Sequence, residues 1–228
     1  MHHLHILCEG QTEDVVTANV LEPHFAALGV WVSRSIFTTK RVAGGPDFKG
    51  GISGWPKLER EVRLLLRDSS TTVLTTMFDY YAFPPDAPGM ADRPRGSPHD
   101  RVLHVESALV KTIGSKRFLP NLVLHEIEAW VLADCTRLGQ VMGDGGPAVE
   151  LDRAVRLESG PEMVNDGVDT APSKRIVSAY PQYTKTVDGP CVIADAGLDS
   201  IRSSCPHMND WLREVEARTR RGDETGTG

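Results

Sequence analysis

Long apolar runs are missing from this chain. Nowhere in its 228 residues does a stretch approach the roughly 18 consecutive apolar positions that a membrane-crossing helix requires. The opening MHHLHILCEG has neither the basic segment nor the cleavage site of a secretory leader, so a cytoplasmic location is the expectation. Cysteine is scarce and scattered. Cys8, Cys135, Cys191 and Cys205 form no CxxC pair, which argues against a disulfide framework or a zinc knuckle. Cys205-Pro206-His207 offers two metal ligands but no second pair to complete a site. A surplus of positive charge is lacking too. The net charge of −6 speaks against coating nucleic acid by charge alone. It leaves room for a nuclease, because bound metal ions neutralise an acidic site locally. The basic residues are grouped at Lys40-Arg41, Lys116-Arg117, Lys174-Arg175 and Arg218 to Arg221.

What is present is an ordinary globular make-up, 40% hydrophobic and 25% charged, at a length that suits one substantial core and would cramp two. The expectation is a single α/β domain over residues 1–220, with its core in 1–142 and a helical C-terminal extension in 143–220. Residues 221–228 read as a disordered tail.

Residues 2–8 (HHLHILC) read as a first strand. A helix then starts near Thr12 or Glu13, carries Val16, Val20 and Phe25, and exits at Gly29. The β-branched alternation of 30–39 predicts a second strand, and 71–79 (TTVLTTMFD) a third. Between them Pro56 suits a first helical turn, followed by an apolar stripe of Leu58, Val62, Leu65 and Leu66. Val102, Val105, Leu109 and Ile113 define the next helix. FLPNLVLH (118–125) predicts a fourth strand running into a helix around 127–142. The remainder reads as short helices and turns, closing with a helix near Asn209–Arg218. The glycine-rich connection 43–54 matches no P-loop pattern. The long connection YYAFPPDAPGMADRPRGSPHD has a length that points to function or mobility. Alternating strands and helices favour a mostly parallel sheet with helices on both faces, where functional groups gather beyond the carboxyl ends of the strands.

That rule singles out carboxylates. Glu9 ends the first strand and Asp79 the third, and parallel strands carry both to one edge of the sheet. Glu13 lies about one helical turn beyond Glu9 and can lean back over the same edge. Gly10 allows a tight turn there and keeps bulk away from a ligand. Three carboxylates in one cleft repel one another unless a cation joins them, and oxygen ligands suit magnesium or manganese. The plain alternative is a helix N-terminus, with Glu13 answering the dipole and Asp79 in a turn. In LVLHEIEAW, Glu126 falls at the strand-to-helix junction on the same edge. If residues 126–130 are all helical, Glu126 and Glu128 stand about 200° apart and cannot both face one site. His125 is either a core histidine or a proton carrier, and Trp130 and Leu132 are core residues.

The segments CEGQTE (8–13), TTMFDYYAFP (75–84), LHEIEAW (124–130), PEMVND (161–166), APSKRI (171–176) and CPHMNDW (205–211) resemble the signature blocks of one bacterial family. That family is catalogued as domain of unknown function 4276 and is grouped with Toprim-like proteins. The resemblance spans nearly the whole chain. Toprim domains of topoisomerases, primases and the overcoming-lysogenization-defect nucleases carry a glutamate-glycine after the first strand, which Glu9-Gly10 matches. Their later Asp-x-Asp is half matched, because Asp79 is followed by Tyr80 and Tyr81. The resemblance implies a Toprim-like fold and a magnesium or manganese site in which Glu13 or Glu126 replaces the absent aspartate. It also implies an ATPase partner encoded nearby and a role in phage defence.

In DTAPSKRI, Pro172 can open a short helix with Ser173 near its N-terminus, an arrangement suited to phosphate. Lys174 and Arg175 then offer a point charge and a planar fork, unless the block is simply a surface helix start. The leading expectation is a metal-dependent phosphodiesterase, a nuclease whose nucleic-acid substrate meets Glu9, Asp79, Lys174 and His125. The rivals are a non-catalytic module docking on the ATPase and a small-molecule phosphohydrolase.

Overall fold

In a computed structural model, residues 2–40, 48–49, 54–164 and 170–220 are described, with only the backbone for 38–40 and 48–49. Arg41, most of the glycine-rich connection, Asn165 and Asp166, Asp169 and the tail 221–228 lie outside the described residues.

Strands β1 (His2–Cys8), β2 (Val30–Ile36), β5 (Val73–Asp79), β6 (Phe118–Leu119) and β7 (Leu122–Val123) form one parallel sheet. The order is β2-β1-β5, with β6 and then β7 both pairing β5. Two short strands, β3 (Thr38–Lys40) and β4 (Phe48–Lys49), pair antiparallel with each other. The pleat sends alternate side chains to opposite faces. Leu4, Ile6, Cys8, Val73 and Met77 face one apolar cluster, and Leu7, Leu74 and Phe78 the other. The second cluster is closed by α3 (Trp55–Leu65) and α4 (Pro98–Ile113) through Leu58, Val62, Val102, Val105 and Leu109.

The first cluster is closed by α1 (Gln11–Val16), α2 (Glu22–Ala27) and the C-terminal helices. A π-helical stretch, Thr17–Leu21, joins α1 to α2 just ahead of Pro23, which has no N–H to give to the preceding turn. Beyond lie α5 (Glu128–Val131), a 3₁₀ turn Leu132–Asp134, α6 (Cys135–Met142), α7 (Gly146–Leu157) and α8 (Pro172–Ala179), then α9 (Asp188–Ser204) and α10 (Pro206–Arg220). The C-terminal part is helical as expected: α9 is two shorter helices meeting at Gly197, whose φ of 75° and ψ of 156° are not helical, and α10 runs for 15 residues, longer than the expected closing helix near Asn209–Arg218. Helix α10 is anchored on the sheet: the Trp211 indole N–H donates to Thr75 Oγ1 at 2.9 Å, and its ring stacks on Trp130.

Two strand expectations need correction. The second strand ends at Ile36 rather than 39. The fourth, expected over 118–125, is two fragments broken at Pro120-Asn121, because proline offers no ladder donor. Thr76 bridges the gap, its hydroxyl donating to Asn121 O and accepting from Asn121 N, both at 2.9 Å. No helix among the described residues is long and apolar enough to cross a membrane.

Candidate functional site

The parallel register sets Cys8 beside Met77, so β1 and β5 end together. Glu9 and Asp79 leave that edge as neighbours: the Asp79 N–H donates to Glu9 Oε2 at 2.9 Å. Asp79 Oδ1 in turn accepts from Ile127 N at 3.1 Å. Glu13 Oε2 accepts from Gly10 N at 2.9 Å, closing the first turn of α1. Gly10 is extended, a conformation open to any residue, so the expected tight turn is not what calls for glycine. Its use is room, because a Cβ there would stand 3.3 Å from Glu13 Oε2.

Glu126 and Glu128 join the same edge. The helix starts only at Glu128, and His125 takes a left-handed φ of 66° that bends the chain ahead of Glu126. The all-helical arrangement of 126–130, which would have set the two glutamates apart, does not occur. Both accept from Lys185 Nζ, at 3.0 and 3.1 Å. Lys185 lies in the connection between α8 and α9. Glu128 is 1% exposed, and its Oε1 is buried without a hydrogen-bond partner among the described residues. The buried Tyr183 hydroxyl, two residues before Lys185, lacks one as well.

Five carboxylates thus converge against one ammonium. Burial pushes the Glu9 carboxyl up to about 7, with the charge of Glu13 adding to the rise and the Asp79 N–H and Lys185 opposing it. Burial also raises Glu13. Asp79 is held well above the ordinary carboxyl value by burial and then by Glu13, Glu9, Glu128 and Glu126. Glu128 is pushed up to about 7 by burial, which the nearby Lys185 charge only partly offsets. Burial alone would lower Lys185, but Glu128 and Glu126 outweigh it and raise the ammonium above its usual value.

The sequence-predicted phosphate site is arranged otherwise. Ser173 N, at the start of α8, donates to Glu126 Oε1 at 2.6 Å, so the helix end holds a protein carboxylate. Lys174 is exposed and lines an open concavity with Pro147 and Glu150 of α7, away from the carboxylate contacts. Arg175 donates from Nε to Thr170 O and faces Glu158 at 3.7 Å. His125 is buried, with Nε2 3.0 Å from the Glu162 carbonyl oxygen, so its ring braces the bend that presents Glu126. The cation that does meet the carboxylates, Lys185, stands in PQYTKTVDGP, a segment with no motif to mark it.

The family described as Domain of unknown function (DUF4276) matches residues 8–216. The chain belongs to this family. No curated protein and no solved structure matches it. The family match runs from the strand that delivers Glu9 through α10, so the whole carboxylate edge and Lys185 are family territory.

Proposed function

We propose that this DUF4276 protein is a magnesium- or manganese-dependent phosphodiesterase, a nuclease acting with an ATPase partner, and that Glu9, Glu13, Asp79, Glu126 and Glu128 form its metal-binding edge. The observation that carries the reading is the convergence of five carboxylates where the parallel strands end, met by one ammonium among the described residues. Buried like charges need a counter-ion, and an all-oxygen donor set suits hard divalent cations. Glu128 Oε1, buried without a hydrogen-bond partner among the described residues, is an oxygen free to ligate a cation. No three such side chains already stand in ligating geometry among the described residues, so ion uptake entails side-chain movement at this edge.

A bound divalent ion supplies charge neutralisation at phosphate and a more acidic water. The protein contributes orientation. Backbone N–H groups of Asp79, Gly10, Ile127 and Ser173 each grip one oxygen of Glu9, Glu13, Asp79 and Glu126 and fix those carboxylates before substrate arrives. Lys185 takes the role that sequence reasoning gave to Lys174, stabilising negative charge that develops on the phosphate. The acidic surface leaves delivery of nucleic acid at physiological salt to a more basic partner, the proposed ATPase.

Magnesium or manganese is expected to raise the melting temperature, because a ligand that binds only the folded state stabilises it. At about 100 times Kd the gain is about 2.7 kcal/mol, or roughly 5–10 °C for a chain of this size. Glu9→Gln with Asp79→Asn should abolish the rise while the protein still unfolds cooperatively. An unchanged metal response in the double variant places the ion elsewhere and sinks the assignment.

One observation favours the docking module as second reading. Where a second aspartate would stand, Tyr81 is half exposed, and its N–H is spent on His125 O at 3.0 Å. A protein with no metal response but stable association with the ATPase would fit that reading, with Lys185 as the permanent counter-ion.

A further inference from the structure

The long connection between β5 and α4 is fastened to the domain. Tyr80, Phe83, Ala87 and Met90 are buried in the second apolar cluster, against Val102 and Val105 of α4. Gly89, at φ 81°, passes so close to α4 that a Cβ there would meet Ala108 Cβ at 2.9 Å. On this platform Arg93, Arg95 and Arg101 line an open concavity of about 340 Å³, together with the small residues Ala91, Pro94 and Gly96. Arg93 is pinned from below, its Nε donating to Met90 O at 2.9 Å and its guanidinium reaching the Tyr80 hydroxyl at 3.1 Å. The buried Arg101 Nε has no hydrogen-bond partner among the described residues.

None of the three arginines is in an ion pair among the described residues, whereas Arg34, Arg63 and Arg202 all face carboxylates. The two nearby acids are engaged elsewhere: Asp92 with His104 at 3.3 Å, and Asp100 with the Ser97 N–H and hydroxyl. In a chain of net charge −6, three arginines without an ion pair among the described residues gather on one rim and favour negative charge there. Planar guanidinium forks match phosphate oxygens two at a time. Tyr80, whose hydroxyl meets the Arg93 guanidinium, directly follows Asp79 in the chain.

We propose that this concavity binds phosphate groups of a nucleic-acid backbone. The proposal rests on the nuclease reading and names where that substrate docks. A wide, open rim of three arginines suits a chain of phosphates rather than a single enclosed ion.

The test is fluorescence anisotropy of a labelled single-stranded oligonucleotide with the full chain, at about 50 mM salt with chelator, where phosphate contacts are strongest. The parent should bind. Arg95→Ala/Arg101→Ala should weaken binding at least about tenfold, irrespective of base sequence, and reduce the steepness of log affinity against log salt by about 1.4. Arg95→Ala alone, at an exposed position that folding does not depend on, should reduce it by about half as much. Arg60→Ala/Arg67→Ala, which removes two exposed arginines, one in α3 and one in the turn that follows it, should bind like the parent. Parental affinity in both Arg95 variants overturns the proposal, as does a parent that fails to bind the oligonucleotide. So does displacement of the oligonucleotide by inorganic phosphate at equal phosphate concentration, which would mark a free-phosphate site. The magnesium-induced rise in melting temperature should survive in Arg95→Ala/Arg101→Ala, so loss of docking and loss of the metal edge are read separately.

Discussion

Lys185→Ala is expected to lower metal-dependent cleavage of a labelled oligonucleotide by about 10²- to 10³-fold, the usual cost of removing one donor that meets developing charge. Lys185→Arg should recover only part of the rate, because a broad guanidinium does not reproduce a compact ammonium between Glu126 and Glu128. Lys174→Ala should cleave like the parent, since Lys174 is exposed and takes part in none of the carboxylate contacts. The assay includes any copurifying partner. A Lys185→Ala protein with parental turnover removes this residue from the chemistry, and a Lys174→Ala protein with a large loss restores the phosphate role at the start of α8.

A stability readout separates catalysis from simple charge balance. Without metal, Lys185→Met strands Glu128, which is 1% exposed, beside Glu126. Breaking a buried pair costs about 3–5 kcal/mol, but the Lys185 side chain is 46% exposed, so solvent screening reduces the expected loss to about 1–2 kcal/mol. Adding Glu128→Gln should return most of it, and a double-mutant cycle in urea measures the coupling directly. If the docking module is the correct reading, the stability effect remains and no rate effect exists.

The half of the site that was legible in the sequence is the half fixed by parallel register. Glu9 and Asp79 stand at the ends of strands whose hydrophobic pattern is unambiguous, and in-register pairing delivers both to one edge. Glu126 and Glu128 were harder. Between Leu124 and Glu126 the backbone turns left-handed at His125, a conformation uncommon outside glycine that no local pattern announced. Lys185 lies 57 and 59 positions from its partners, and nothing local distinguishes it from a surface lysine. The Ser173 N–H, read from the sequence as a phosphate donor, is given to the Glu126 carboxylate. In the fold, Pro120 was a visible warning against one unbroken fourth strand, whereas its repair by Thr76 is a tertiary event. Gly197 was a readable break in α9, since its φ of 75° and ψ of 156° divide that segment into two shorter helices. The stripe of Met208, Trp211, Leu212 and Val215 in α10 was readable, and Pro206 merely moves its start to the first-turn position that proline favours.

The carboxylate edge should also show in the pH dependence of metal-free stability. A carboxyl raised from 4.5 to about 7 binds its proton more tightly in the folded state. Its contribution is therefore favourable at low pH and is lost as pH rises through that window, by about 3 kcal/mol for such a shift. Glu9 and Glu128 both act in this sense, and because the cluster shares its charge their effects do not simply add. His5 opposes them below neutrality. Burial and the neighbouring His3 lower it to about 4, so the unfolded chain binds more protons between there and 6.5 and stability rises with pH in that range. The parent curve is thus a sum of opposing slopes, and subtraction isolates the carboxylates. With chelator present, Glu9→Gln/Glu128→Gln should gain on the parent by about 3 kcal/mol between about pH 4.5 and 8, or roughly 6–12 °C in melting temperature. Saturating magnesium should erase or reverse that gain, because the cation favours the ionised carboxylates that the variant lacks. A difference curve that stays flat in chelator means that these two glutamates ionise freely in the folded protein. The electrostatic drive for a cation at this edge would then be absent.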